Sequence, residues 1–186
     1  MTFCINFEVK KMDLKKYIRS IPDYPKKGIL FRDITTLIKN KDAFKECIDQ
    51  MSEILMKLNF DKIAAIESRG FLFSAPLCYK LSKPLVLMRK ENKLPAERYS
   101  EEFELEYGQA TLELHKDSIK PKEKVIIVDD LIATGGTAMA GAKLVEKSEG
   151  IVSGFVFVIN LFDLGGIELL KKKEYKTFSL IDFPGH

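Results

Sequence analysis

A hydrophobic strand that runs directly into two carboxylates and then into a glycine-rich turn constrains this chain more than any other feature. The segment is Val125-Ile-Ile-Val-Asp129-Asp130-Leu-Ile-Ala133-Thr134-Gly135-Gly136-Thr137. Its β-branched run describes a strand buried on both faces, as in a parallel sheet. The glycines let backbone N–H groups approach an anion, Thr134 and Thr137 add hydroxyl donors, and a helix opening at the turn supplies partial positive charge. A phosphate monoester is the predicted occupant. Asp129 and Asp130 at the strand's carboxyl end are placed to accept hydrogen bonds from a sugar diol beside that phosphate, so ribose 5-phosphate satisfies both halves. No lysine follows Gly136, which rules out the P-loop pattern for nucleoside triphosphates, and the spacing misses the dinucleotide GxGxxG fingerprint. An Asx-capped strand-to-helix turn would explain Asp130 or the glycine pair alone, but not the whole segment.

The rest of the chain supplies the matching frame. Lys62 to Ile66, Pro84 to Met88 and Val152 to Ile159 read as further buried parallel strands, and Gln109 to Leu114 is strand-like. Helical periodicity runs from Asp42 through Cys47, Met51 and Leu58, through Phe71 to Leu81, and from Thr137 to Lys147. Alternation of strand and helix predicts an α/β fold with a central, mostly parallel sheet flanked by helices. Asp13 is a candidate cap for a short helix over Leu14 to Ser20, which Pro22 and Pro25 would end. Residues 90–108 break the rhythm with mixed charge, Pro95 and Gly108, and an irregular stretch of this length in a compact domain is characteristically a lid or disordered. Lys171 to Lys173 read as a solvated helix end.

Lys plus Arg outnumber Asp plus Glu by only 30 to 27, too even a balance for a nucleic-acid-binding field. Cys4, Cys47 and Cys78 are widely spaced with no CxxC pair, and His115 and His186 are isolated, so neither a disulfide framework nor a zinc site is indicated. No apolar run is long enough to span a membrane. The expectation is one cytoplasmic domain over 1–186 with no nucleic-acid or membrane partner. Residues 1–11 read as an extension, with Met12 an alternative start.

The segment 125–137 resembles the phosphoribosyl pyrophosphate motif of type I phosphoribosyltransferases, and its Ala133-Thr-Gly-Gly-Thr137 ending resembles their adenine-specific branch. The resemblance extends over Pro22-Asp-Tyr-Pro25, Gly28-Ile-Leu-Phe-Arg-Asp33, Glu67-Ser-Arg-Gly-Phe71, Arg89-Lys90, Lys93-Leu-Pro95, Leu105-Glu-Tyr-Gly108 and a bacterial-type ending, Phe183-Pro-Gly-His186. It implies the type I phosphoribosyltransferase fold with a small hood over 12–37 and a flexible lid loop over 90–108. The implied reaction joins adenine to phosphoribosyl pyrophosphate, giving AMP and pyrophosphate, in a homodimer using Mg²⁺. The metal would arrive with pyrophosphate, with Asp129 and Asp130 as outer-shell partners and no direct protein ligand.

By the same resemblance, Phe31 stacks on the purine while the backbone of Leu30 and Arg32 reads its edge. Glu67, Ser68 and Arg69 meet pyrophosphate, and the Glu67–Ser68 peptide is expected to be cis. Arg89, Lys90 and Lys93 serve the leaving group, partly across a dimer interface. Glu106 handles the proton and Tyr107 lies beside it in the lid. Each has a bland alternative: core packing for Phe31, a surface ion pair for Arg69, solvated charge for Arg89 and Lys90. Glu106 would be ordinary too, since Glu102, Glu104 and Glu106 alternate with Phe103, Leu105 and Tyr107 as on the wet face of an edge strand. The rival readings are an enzyme of the same class using another base, a DNA-binding regulator and a non-catalytic binding protein.

Overall fold

The computed structural model describes residues 11–104 and 108–185. In chain order its elements are β1 (Arg19–Pro22), β2 (Leu30–Asp33), α1 (Thr35–Lys39), α2 (Lys41–Leu55), β3 (Lys62–Ile66), α3 (Gly70–Leu81), β4 (Leu85–Lys90), β5 (Arg98–Glu104), β6 (Gln109–His115), β7 (Lys124–Ile132), α4 (Gly136–Lys147), β8 (Ile151–Leu161), α5 (Gly166–Lys172) and β9 (Thr177–Phe183). Seven strands form one sheet in the order β5-β6-β4-β3-β7-β8-β9. From β4 to β9 neighbouring strands are parallel, and β6 joins β4 and β5 antiparallel. This is the expected α/β architecture.

The core lies on both sheet faces. Ile63, Ile126, Val128, Val156 and Val158 pack under α2 and α3, while Ala64, Ile66, Ile127, Phe155 and Phe157 pack with α4. Two-sided burial is why β7 and β8 read as continuous apolar runs instead of alternating ones. Helix α2 begins where Asn40 accepts hydrogen bonds from the N–H groups of Asp42 and Ala43, and its buried stripe is Ala43, Cys47, Ile48, Met51 and Leu55. Lys171 and Lys172 occupy the last turn of α5, as expected of a helix end.

Two local expectations are corrected. Asp13 does cap a turn, accepting from Lys15 N–H, but the turn is a 3₁₀ segment over Leu14–Tyr17, and the chain then extends into β1. A helix this short has no cooperative advantage, and antiparallel pairing of Arg19–Pro22 with Leu30–Asp33 captures the residues that would have extended it. Residues 98–104, expected to be irregular, form β5, with Tyr99, Glu101 and Phe103 half-buried and their neighbours exposed. Pairing with β6 and docking against α4 supply what local composition does not show. The hairpin β1–β2 and the edge strand β9 were not read from sequence. Of the extension 1–11 only Lys11 lies among the described residues, 2.7 Å from Glu53. Among the described residues no helix is long and apolar enough to cross a membrane.

Candidate active site

Strand β3 has β4 on one side and β7 on the other, so the connections leaving the sheet there diverge and leave a crevice at the strands' carboxyl ends, where open α/β sheets bind ligands. A cleft of about 520 Å³ opens at this place, within the range that takes a nucleotide-sized ligand. Glu67, Ser68 and Arg69 enter it after β3, Lys90 from the end of β4, and Asp129 through Thr137 from β7 and the following turn.

Gly135 sits at φ +89°, a left-handed conformation that starts α4 at Gly136. A side chain at Gly136 would come within 2.7 Å of the Glu104 carbonyl oxygen. The second glycine is therefore demanded by the chain's own close packing. Thr134 is exposed and Thr137 half-buried, both on the cleft wall with Ala133.

Asp130 is 3% exposed, and Arg69 Nε lies 3.0 Å from its Oδ2. Asp129 Oδ1 accepts the N–H of Asp130 at 2.8 Å. Burial and the neighbouring Asp130 carboxylate push Asp129 well above the usual carboxylate range, and burial raises Asp130 in spite of Arg69. Both acids thus face a cleft in which hydrogen-bond donors from a ligand would be strongly favoured. Arg69 is more than a surface cation, because its guanidinium also stands 5.6 Å from the Phe31 ring and joins the acid pair to the hood.

The Glu67–Ser68 peptide is cis. The Glu67 side chain receives Arg89 Nε at 3.2 Å, Arg89 Nη2 at 3.3 Å and the N–H of Lys90 at 2.8 Å. Burial works to raise the Glu67 carboxyl, but these hydrogen bonds outweigh it and hold the pKa below its ordinary range. Glu67 therefore ties the turn after β3 to the end of β4. Arg89 and the exposed Lys93 are not on the cleft wall; Arg89 reaches the Lys93 carbonyl oxygen at 3.4 Å instead. Lys90 does line the cleft.

In the hood, Phe31 packs edge-on against Tyr24 with ring centroids 5.2 Å apart. Leu30 and Phe31 are half-buried and Arg32 is buried. These three do not line the cleft; Arg69 is the bridge to it. Glu106 and Tyr107 lie outside the described residues.

The cleft also includes residues that sequence reasoning missed. Phe103 and Glu104 from β5 form part of its wall, with Leu112 and Phe157 beneath. Strand β5 is fastened to α4 by Glu101, which accepts from Lys143 at 2.7 Å and Lys147 at 2.6 Å, while Lys147 also donates to the Ser100 carbonyl oxygen. The available signal was the alternation of Tyr99, Glu101 and Phe103. Among the described residues no group of three or more His, Cys, Asp and Glu side chains could hold a metal ion.

Residues 33–185 match the phosphoribosyl transferase domain family. The adenine phosphoribosyltransferase of Pelagibacter ubique is 65% identical over 175 residues, covering 94% of this chain and 100% of that protein. The crystal structure of adenine phosphoribosyltransferase from Thermoanaerobacter pseudethanolicus, 50% identical, superposes with a TM-score of 0.87 over 91% of this chain and 98% of that one. The Saccharomyces cerevisiae enzyme, crystallised with D-2,5-dideoxy-2,5-imino-altritol 1,6-bisphosphate and adenine, is 37% identical, with a TM-score of 0.83 over 90% of this chain and 96% of that one.

Proposed function

The chain belongs to the adenine phosphoribosyltransferases of the phosphoribosyl transferase domain family, and on that premise we propose that phosphoribosyl pyrophosphate and adenine meet in the cleft between β3 and β7. The activity is transfer of the phosphoribosyl group to adenine, giving AMP and pyrophosphate, a reaction of purine salvage. The observation that carries the assignment of the site is the convergence of Asp129, Asp130, Arg69 and the turn Ala133–Thr137 on one crevice.

In this reading the N–H groups of the turn and the start of α4 hold the 5-phosphate, with Thr134 and Thr137 donating hydroxyls. Asp129 and Asp130 accept the ribose hydroxyls and favour the positive charge that develops on the ring as the bond to pyrophosphate breaks. Arg69 and Lys90 stabilise the departing pyrophosphate, with Glu67 and Ser68 shaping the turn that carries Arg69. The adenine nitrogen bonds the anomeric carbon from the hood side, with Phe31 on the purine face and the backbone of Leu30 and Arg32 at its edge. Glu106 takes the proton that adenine loses, and the lid segment 90–108 with Tyr107 excludes water from the cation-like carbon.

The acid pair fits Mg²⁺ as an outer-shell site: Asp130 Oδ2 is buried and ion-paired with Arg69 but accepts no well-aligned hydrogen bond, and a metal-bound water would supply one. When bound with pyrophosphate the metal supplies charge neutralisation on the leaving group.

We further propose a homodimer in the cytoplasm. Leu85, Leu87, Leu72 and Tyr79, the last 90% exposed, leave an apolar surface on β4 and α3 of the kind a second copy would cover. Arg89 follows Leu85 and Leu87 on the same face of β4, which favours Arg89 over Lys90 as the residue offered to the neighbouring subunit. The free, buried thiols Cys47 and Cys78 suit a reducing compartment.

The test is to supply purified protein, magnesium and phosphoribosyl pyrophosphate with each base separately. Adenine is expected to be turned over in strong preference, and equal use of guanine or hypoxanthine would overturn the assignment of the hood.

A further inference from the structure

Strands β1 and β2 form a sheet of their own, with no ladder hydrogen bond to the seven-stranded sheet that carries the cleft. A two-stranded hairpin is marginal by itself, so side chains must set where the hood stands relative to the ribose. Among those side chains, Arg32 is placed most unusually. It lies between Phe31 and Asp33 on a strand of four residues, yet it is only 5% exposed. Its Nη2 donates to the Pro184 carbonyl oxygen at 2.8 Å, and its Nη1 donates to Ser20 Oγ on the paired strand. Its guanidinium lies 4.4 Å from the centroid of the Phe183 ring. Lys15 reaches the same ring at 4.7 Å and donates to the Asp182 carbonyl oxygen at 2.8 Å. Phe183 and Pro184 are thus held between two cations from the hood end of the chain, and Phe183 is itself in register with Leu161 of β8.

We infer that Arg32 is a positioning residue for base recognition: its side chain ties the hood to the carboxyl end of β9, and so fixes the backbone of Leu30 and Arg32 against which the base is read. The inference rests on the reading that the hood holds adenine. Arginine suits this task because its planar fork donates in two directions while its face stacks on an aromatic ring, which lysine cannot do. Asp33 completes the fixture from the other side, accepting from Arg19 Nε at 3.0 Å and from the N–H of Thr35 at 2.9 Å. Displacing a binding backbone by a fraction of an ångström weakens recognition without altering any group that touches the ligand. The ribose phosphate site is built on β3, β7 and α4 and does not depend on the tie.

The experiment compares Arg32→Met, Ser20→Ala, Phe183→Leu and Phe31→Ala with the unaltered enzyme, measuring KM for adenine and for phosphoribosyl pyrophosphate separately, with thermal melting alongside. Loss of a charge-assisted hydrogen bond predicts that Arg32→Met raises the adenine KM at least about ten-fold while the phosphoribosyl pyrophosphate KM stays within about two-fold. Ser20→Ala and Phe183→Leu should give smaller changes of the same signature. Equal increases in both KM values would reduce Arg32 to general support of the fold and overturn the inference. An unchanged adenine KM in Arg32→Met, with a raised one in Phe31→Ala, would overturn it and leave the hood reading standing; no effect in either would bring down both. Should Arg32→Met fail to fold, Arg32→Lys and Ser20→Ala decide the matter by the same split.

Discussion

Replacing Asp129 by asparagine is expected to make the unliganded protein more stable at neutral pH while abolishing productive use of phosphoribosyl pyrophosphate. Burial and the adjacent Asp130 raise the Asp129 pKa in the folded state. A carboxyl whose folded pKa exceeds its unfolded value of about 3.9 contributes stability that is fully present below that pH and lost as pH rises through the folded value. At neutral pH the native side chain therefore carries a cost that asparagine does not, and asparagine keeps an acceptor for the N–H of Asp130. Substitutions that relieve such functional strain typically add about 0.5 to 2 kcal/mol, which for a chain of this size is a rise in Tm of roughly 1 to 8 °C. Asp130→Asn should move Tm much less, because relief of its burial is offset by loss of attraction to Arg69, 3.0 Å away. The assay is thermal melting of both variants and the unaltered protein from about pH 4 to 8, with steady-state kinetics at neutral pH. The Asp129→Asn gain should vanish toward the acid end. A Tm below that of the unaltered protein at neutral pH, a gain independent of pH, or unchanged kinetics would each refute the reasoning.

Glu106→Gln should lower kcat at least about 10²-fold, with Glu102→Gln changing it little; a common response in both would make Glu106 a surface residue. Gly136→Ala forces a Cβ to within 2.7 Å of the Glu104 carbonyl oxygen, and overpacking of that kind should raise the KM for phosphoribosyl pyrophosphate about ten-fold; unaltered kinetics would mean that the lid strand yields freely. Leu87→Glu places a charge in the apolar face of β4 and should give a monomer of reduced activity in sedimentation and turnover measurements, whereas a fully active dimer would remove that face from the interface.

Much of the cleft was legible locally. The run Val125 to Thr137 states strand, acid pair and turn within one stretch, because two-sided burial demands unbroken β-branched residues and a left-handed turn demands glycine. The long helix was legible from its period, although the exact start at Asn40 depends on a side-chain cap. The hood and lid were harder. Residues 98–104 carry the alternation of an edge strand, but their charge and the nearby Pro95 mimic a loop, and β5 exists because β6 and α4 receive it. Likewise Leu14 to Ser20 has helix-compatible composition, and the pairing partner that pulls its end into β1 lies beyond two prolines.

A parallel α/β sheet with a glycine-rich turn after one buried strand was already written in the chain, since these follow from side-chain period and backbone permissiveness within a few residues. Which charges meet was settled by the assembled fold. Strand order sets β3 beside β7, and that adjacency gives Arg69 to Asp130, while the neighbouring β4 gives Arg89 to Glu67. It also decided that Gly136 must admit the Glu104 carbonyl and that Arg32 turns inward to the end of β9. Local propensity carries no information about such pairings, because they depend on where the crossovers return the chain and on which charges burial leaves in need of a partner.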